Sequence, residues 1–235
     1  MKCAYEKVMQ EKKDDEYRGL YRTMGMEFMV FLDMSIGVIV HNLCGHAKTR
    51  IGRMFDTIAE DVDGRLDVLS ETNVGEIPAN ATDELRELME QIKSRDEDPA
   101  ESLKSARASY RMNLKDCGFD LDAETAAHAF VLPPLTGSLD PAKEANYNLR
   151  KNFLEVFDDV VVSYHASVLD YFREKHRYGA GRMRVLYRLM REDYNRYAAH
   201  YMRCCEYGDS MRRRMTQERQ AVLEKLGVPM IEIKE

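Results

Sequence analysis

Apolar positions recur along this chain at intervals of three and four residues, the period of helices that each bury one face. From Met24 to Leu43 the residues are apolar almost all round, which predicts a helix at the centre of a bundle. From about Lys48, an apolar stripe of Ile51, Phe55, Ile58, Val62, Leu66 and Leu69 predicts an amphipathic helix. Asp56, Glu60, Asp61, Asp63 and Asp67 fall mostly on its solvent side. Ahead of both, Met1 to Arg22 is charged and helical in pattern, with an intermittent apolar face of Tyr5, Val8 and Met9.

Asn73 to Asn80, with Gly75 and Pro78, reads as a linker. Thr82 then caps a helix whose first turn carries Asp83 and Glu84, where carboxylates oppose the positive end of the helix dipole. Ser94 to Pro99 interrupts that helix. Asp98 as cap, Pro99 at the first position and Glu101 three residues after the cap start the next, through Leu103, Ala106, Tyr110 and Leu114. Cys117-Gly118 ends it, and a short helix follows at Ala123 to Phe130. After the loop Val131 to Asp140, Asp140-Pro141 repeats the cap-then-proline start. A long helix from Ala142 to about Lys175 then places Leu149, Phe153, Val156, Val160, Tyr164 and Tyr171 at helical spacing. Gly179 and Gly181 are expected to break it. Another helix runs from Arg182 to about Glu206, and a last one from Gly208-Asp209-Ser210 to Gly227. Only Val228 to Ile233 has the pattern of a short strand. The prediction is an all-α bundle of about seven or eight helices. It divides into an N-terminal part (1–73), an acidic middle segment and loop (74–140) and a C-terminal part with a basic face (141–235), or forms one compact domain.

Composition agrees with a packed core: of 235 residues, 44% are hydrophobic and 32% charged, too apolar for a disordered chain. The five cysteines are odd in number and contain no Cys-x-x-Cys pair, and no secretory leader is evident. Reduced thiols and a cytoplasmic location are expected. The apolar run Phe28 to Leu43 carries Asp33 and falls short of the roughly 20 residues of a membrane span, so a core helix is expected and no membrane contact. A carboxylate within such a helix needs a partner, and Arg50 or Arg184 is the expected one.

The two ends of the chain echo each other. Gly45-x-Ala47-Lys48-x-Arg50-Ile51 matches Gly179-x-Gly181-Arg182-x-Arg184-Val185, each between a long apolar helix and an amphipathic one. The apolar positions beyond correspond one residue out of register. Duplication of a helical hairpin, with an acidic helical insertion between the copies, and chance recurrence of Gly, Lys and Arg at helix junctions both account for this. The second junction, with Tyr178 before Gly179, resembles helical proteins of Firmicutes phages and prophages that carry a Phe-Gly-Phe-Gly-Lys-Lys-Arg-like junction between two helices. The likeness covers Lys175 to about Arg188 and, less closely, His41 to Arg53, where Ala47 replaces the second glycine and no aromatic precedes Gly45. It implies a phage or mobile-element origin and brings no activity with it.

The net charge of −6 excludes a uniformly basic coat but hides a polarised distribution. On a wheel of Arg182 to Glu206, Leu186, Met190, Tyr197 and Tyr201 form the inner side, and Arg184, Arg188 and Arg191 the opposite one. Arg177, Tyr178 and Arg182 precede this row, and Arg212, Arg213 and Arg214 follow it. An outward arginine row suits phosphate, because each guanidinium forks onto phosphate oxygens and displaces counterions. Tyr171, Tyr178, Tyr187 and Tyr194, interleaved with it, would stack on bases if exposed. The competing reading pairs these arginines with the protein's own acids: Asp83, Glu84, Glu87, Glu90, Asp96, Glu97 and Asp98 offer an acidic surface.

Other chemistry is poorly supplied. His200 with Cys204 and His41 with His46 lack third and fourth metal ligands at useful spacing, and no Gly-x-Ser-x-Gly or P-loop occurs. No metal, cofactor or catalytic residue is expected. The expected function is that of a non-enzymatic, phage-type helical protein that acts by occupying a macromolecular partner, a host or phage protein, in an inhibitory or regulatory role. The alternative is a DNA- or RNA-binding regulator using the basic C-terminal helix. Oligomeric state, a homodimer included, stays open.

Overall fold

The computed structural model describes residues 24–25, 27–46, 49–58, 99–134, 140–207 and 217, and of 99–104 and 205–207 the backbone only. Among the described residues there are six helices and no strand. They are α1 (27–44), α2 (49–58), α3 (Pro99–Lys115), α4 (Leu121–Ala127), α5 (Pro141–His176) and α6 (Ala180–Tyr207). The expected helices before Met24, after Thr82 and after Ser210, and the short C-terminal strand, lie outside them.

The caps follow the sequence. Asp140 accepts from the amides of Ala142 and Lys143 at 3.1 and 3.0 Å, with Pro141 at the first position of α5. Asp120 does the same for α4 through Asp122 and Ala123, so that helix starts earlier than the Ala123 expected. Such a cap satisfies amides that have no partner inside the helix.

The helices form three hairpins. His46 stacks on Phe172, and α1 runs parallel to α5, with Phe28 on Phe153 and Phe157 at one end. Arg107 meets Asp159 and Asn113 meets Asp170, so α3 is also parallel to α5. Phe153 on Tyr201 and Phe172 on Tyr178 make α6 antiparallel to it. Glu124 beside Arg184 and His128 beside Asn195 run α4 along α6. Phe55 and Ile51 bring α2 back along α1, within 4 Å of where a β carbon on Gly37 would sit. Thus α1, α3 and α5 run towards one end of the bundle, and α2, α4 and α6 leave it. Each arriving helix ends at a residue in left-handed conformation: Gly45 (φ 62°), Gly118 (φ 80°) and Arg177 (φ 57°). The left-handed residue turns the chain out of the helix while its neighbours satisfy the last carbonyls.

This corrects one expectation. Neither Gly179 nor Gly181 adopts positive φ. Arg177 closes α5, its amide donating to the carbonyls of Arg173 and Phe172. The Gly179 carbonyl accepts from Arg182 and Met183 as α6 begins, and Gly181 lies inside that helix.

The core gathers around α5. Every residue from Val160 to Leu169 is buried, Ser163, His165 and Ser167 included. That all-round burial was expected of Met24 to Leu43. Val156, expected inside, is 46% exposed. Helix α1 is long and apolar enough to qualify as a membrane span by length and composition. Here Phe28, wholly buried, meets Phe153, Phe157, Tyr194, Tyr197 and Tyr201 edge-on, with centroids 4.8–6.3 Å away. Full burial of a phenylalanine contributes roughly 1.5–3 kcal/mol, so this aromatic cluster outweighs any single polar contact holding α1. Asp33 accepts a hydrogen bond from the Tyr164 hydroxyl, while Arg184 pairs elsewhere, with Glu124.

Candidate nucleic-acid interface

The three left-handed turns meet at one end, and that end is basic. Cys44 shares a hydrogen bond with the Tyr178 hydroxyl, and the His46 and His176 rings lie 4.6 Å apart, joining the first turn to the third. A β carbon on Gly118 would lie 3.7 Å from that of Ala180, which places the second turn against the start of α6. Arg50 and Arg53 in the first turns of α2, Lys115 at the end of α3, Lys175 and Arg177 at the end of α5, and Arg182 at the start of α6 are exposed. Among the described residues none of these six makes an ion pair, whereas Arg173 beside them is held by Asp170 at 2.7 Å and Glu174 at 3.2 Å. The Arg182 guanidinium lies 5.4 Å from the centroid of the Tyr178 ring.

Beneath these cations the junction is aromatic. Phe172 contacts His46, His176 and Tyr178, with centroids 5.0–5.5 Å away. His46 is buried with the Cys44 backbone beside its ring, and Nε2 of His176 has no hydrogen-bond partner among the described residues. Both imidazoles are held below their ordinary pKa. For His46 burial is the main cause, followed by His176 and Arg50; for His176 it is burial, then Arg50. Burial, then the bond with Cys44, pushes the Tyr178 phenol up to about 12.

The arginine row expected on α6 comes apart. Arg184 is exposed, but its Nε meets Glu124 at 2.8 Å and its Nη2 donates to the Gly118 carbonyl at 3.1 Å. Arg188 is exposed and lies 3.8 Å from Glu192, one turn along the same helix. Arg191 is wholly buried, its Nη1 bonded to Asp158 at 2.8 Å and its guanidinium 5.2 Å from the Tyr194 ring centroid. Tyr187 and Tyr194, expected to be available for stacking, are also wholly buried, and Tyr171 and Tyr178 are half-buried against the core. The inner residues Leu186, Met190, Tyr197 and Tyr201 are buried as the wheel placed them. The buried surface of α6 is wider than that stripe, because α4 and the residues on either side of it cover a second flank. Phe119 packs on Tyr187, Phe130 on Tyr194, and the Thr125 hydroxyl lies 2.6 Å from that of Tyr187. Arg191, between Tyr187 and Tyr194 along the helix, is buried on Asp158 of α5.

Of the other expected residues, Arg177, Tyr178 and Arg182 do come together at the junction end. Arg212, Arg213 and Arg214 lie outside the described residues, as does the whole acidic set Asp83, Glu84, Glu87, Glu90, Asp96, Glu97 and Asp98. Arg50, Arg53 and Lys115 were not among the expected binding residues. The echo between the two junctions was the signal that places Arg50 and Arg53 beside Arg177 and Arg182. For Lys115 the signal was the Cys117-Gly118 helix end. Among the described residues no three His, Cys, Asp or Glu side chains gather as metal ligands would. Cys204 instead donates to the His200 carbonyl.

The class these features define is an all-helical protein with a basic end. Compared with known proteins, the chain matches no family model, no curated protein and no solved structure.

Proposed function

We propose that this is a non-enzymatic, phage-type helical binding protein of the cytoplasm that occupies a macromolecular partner. The partner that the charge arrangement favours is nucleic acid, held by its phosphates at the junction end. The reading keeps the seven or eight helices expected from the sequence, of which six fall among the described residues. One observation carries it: Arg50, Arg53, Lys115, Lys175, Arg177 and Arg182 are exposed and make no ion pair among the described residues, where three turns converge. Surface cations that make no ion pair among the described residues can release counterions from a phosphate backbone, while Arg184 and Arg188 are already engaged.

Fluorescence anisotropy with short duplex and single-stranded DNA and RNA, across a salt series, tests this. Each phosphate contacted contributes about 0.9 to the slope of log affinity against log salt for duplex DNA. The triple variant Arg50→Ala, Arg177→Ala, Arg182→Ala is expected to reduce that slope by about 2–3, and Arg184→Ala with Arg188→Ala to leave it nearly unchanged. Absence of binding at low salt overturns the nucleic-acid reading and favours a protein partner. So does a larger effect from the Arg184 and Arg188 pair.

A further inference from the structure

The basic end rests on two imidazoles, those of His46 and His176, set in an aromatic layer with Phe172, their rings 4.6 Å apart. The Cys44 backbone lies beside the His46 ring, and Nε2 of His176 has no hydrogen-bond partner among the described residues. The two rings join two hairpins directly below the exposed guanidinium groups. Among the described residues, the groups that face them come from four elements. From α1 there is the Cys44 backbone beside His46 and the ring of His41, whose Nδ1 lies 3.0 Å from the His46 carbonyl. From α2 there is Arg50, from α5 the Tyr171 ring 5.7 Å from His176, and from the turn before α6 Tyr178, under Arg182. Among the described residues no carboxylate faces them. Their protonation is opposed by burial and then by charge, from Arg50 for both rings and from His176 for His46.

We infer that binding of a polyanion at the junction end is linked to protonation of His46 and His176, so that affinity rises as pH falls. The inference rests on the proposed function and adds its regulation. A polyanion laid over Arg50, Arg177 and Arg182 brings to this cluster the negative charge it lacks. It offsets the repulsion from Arg50 and makes the charged imidazole less unfavourable. The complex then holds more protons than the free protein between the folded free-state pKa of the pair, which lies below 6.5, and the higher value in the complex. Through that window affinity increases with acidity, by up to about tenfold per pH unit for each proton taken up. Above it affinity does not depend on these groups. Acid thus strengthens the grip of a surface whose own residues resist it.

The test uses the full chain and two probes, a short DNA duplex and heparin, a polyanion without bases. Affinity is measured from pH 7.5 to 5.5 at fixed ionic strength, and proton uptake by calorimetry in buffers of different ionisation enthalpy. Wild-type protein is expected to bind more tightly at pH 5.5 with net proton uptake. The double variant His46→Phe, His176→Phe is expected to bind as wild type does at pH 7.5 and to take up none. In case that variant folds poorly, the imidazole resonances of the wild-type protein are titrated with and without heparin. Two of the six histidines are expected to titrate at higher pH when it is bound. No uptake by wild type, unchanged uptake in the double variant, or six unmoved titrations overturns the linkage. Heparin binding with proton uptake but no DNA binding upholds the linkage and overturns the nucleic-acid reading, and binding of neither probe overturns both.

Discussion

Two regions of this bundle bury ionisable side chains, and they do so in opposite ways. On α6, Arg191 is inside and keeps its charge, with Asp158 as its anion and the Tyr194 ring beside it. At the junction end, His46 is buried and His176 half-buried beside a guanidinium, with no carboxylate facing them among the described residues, and burial, then the nearby charge, drives them towards the neutral form. The difference lies in the groups themselves. A guanidinium cannot lose its proton in a protein, so a buried one must be paired; an imidazole can, so burial moves its pKa instead. The first region is a fixed ion pair. The second is a place where charge can be added later.

The largest expected effect tests the first half of that contrast. Arg191→Ala removes a buried cation and leaves a void next to Asp158. Breaking one side of a buried pair costs about 3–5 kcal/mol. Because the Asp158 side chain is 35% exposed, water can take over part of its solvation, which places the loss near the lower bound. Arg188→Ala, three residues away, removes an exposed pair 3.8 Å long and is expected to change stability by no more than about 0.5 kcal/mol. Urea unfolding of both variants reads the gap directly. Equal losses would show that Arg191 is not held as a buried ion pair.

That contrast was invisible on a helical wheel. A wheel places Arg184, Arg188 and Arg191 on one side because their spacing is four and three, and it places the inner stripe correctly through Leu186, Met190, Tyr197 and Tyr201. It cannot say how many neighbours a helix has. The second flank of α6 takes in Tyr187 and Tyr194, against Phe119, Thr125 and Phe130, and Arg191 between them is buried on Asp158 of α5. The start of α5 was legible because Asp140-Pro141 encodes its own capping chemistry, and α3 begins at Pro99 as expected. The end of α5 was misread because Arg177, and not a glycine, takes the left-handed position. The site was partly legible: the junction echo pointed to two similar turns, and Arg177, Tyr178 and Arg182 were singled out. What periodicity could not give was the meeting of three turns at one end, since that depends on the directions of helices far apart in sequence.

The second half of the contrast predicts the pH dependence of stability. His46 and His176 have lower pKa values in the folded protein than the 6.5 of an ordinary imidazole. Above that value neither state is protonated, and the pair contributes no pH dependence. Below it the unfolded chain takes up protons that the folded protein resists, so stability falls with pH until the folded-state values are passed. Urea midpoints measured between pH 7.5 and 5 should decline in wild-type protein and decline less in His46→Phe, His176→Phe. Parallel declines in the two proteins would mean that other groups control the acid limb. The free protein should therefore weaken over the same range in which its hold on a polyanion strengthens.

The smallest effect comes from the backbone of the junction itself, and it separates folding from binding within one variant. A non-glycine residue in left-handed conformation costs about 1–2 kcal/mol, and glycine there relieves this at an entropic cost in the unfolded chain of roughly 0.5–1 kcal/mol. Arg177, at φ 57° and ψ 38°, is exposed and makes no ion pair among the described residues. Arg177→Gly is thus expected to raise stability by about 0.5–1 kcal/mol while removing one guanidinium from the basic end. Gly45→Ala, at φ 62° with nothing within 4 Å of the new β carbon, should lower stability by a similar amount through strain alone and leave the cations intact. Unfolding and DNA affinity measured together should then move in opposite directions for Arg177→Gly, with a stabler protein that binds less tightly. If affinity instead follows stability in both variants, the arginine at this turn serves the fold and not the partner.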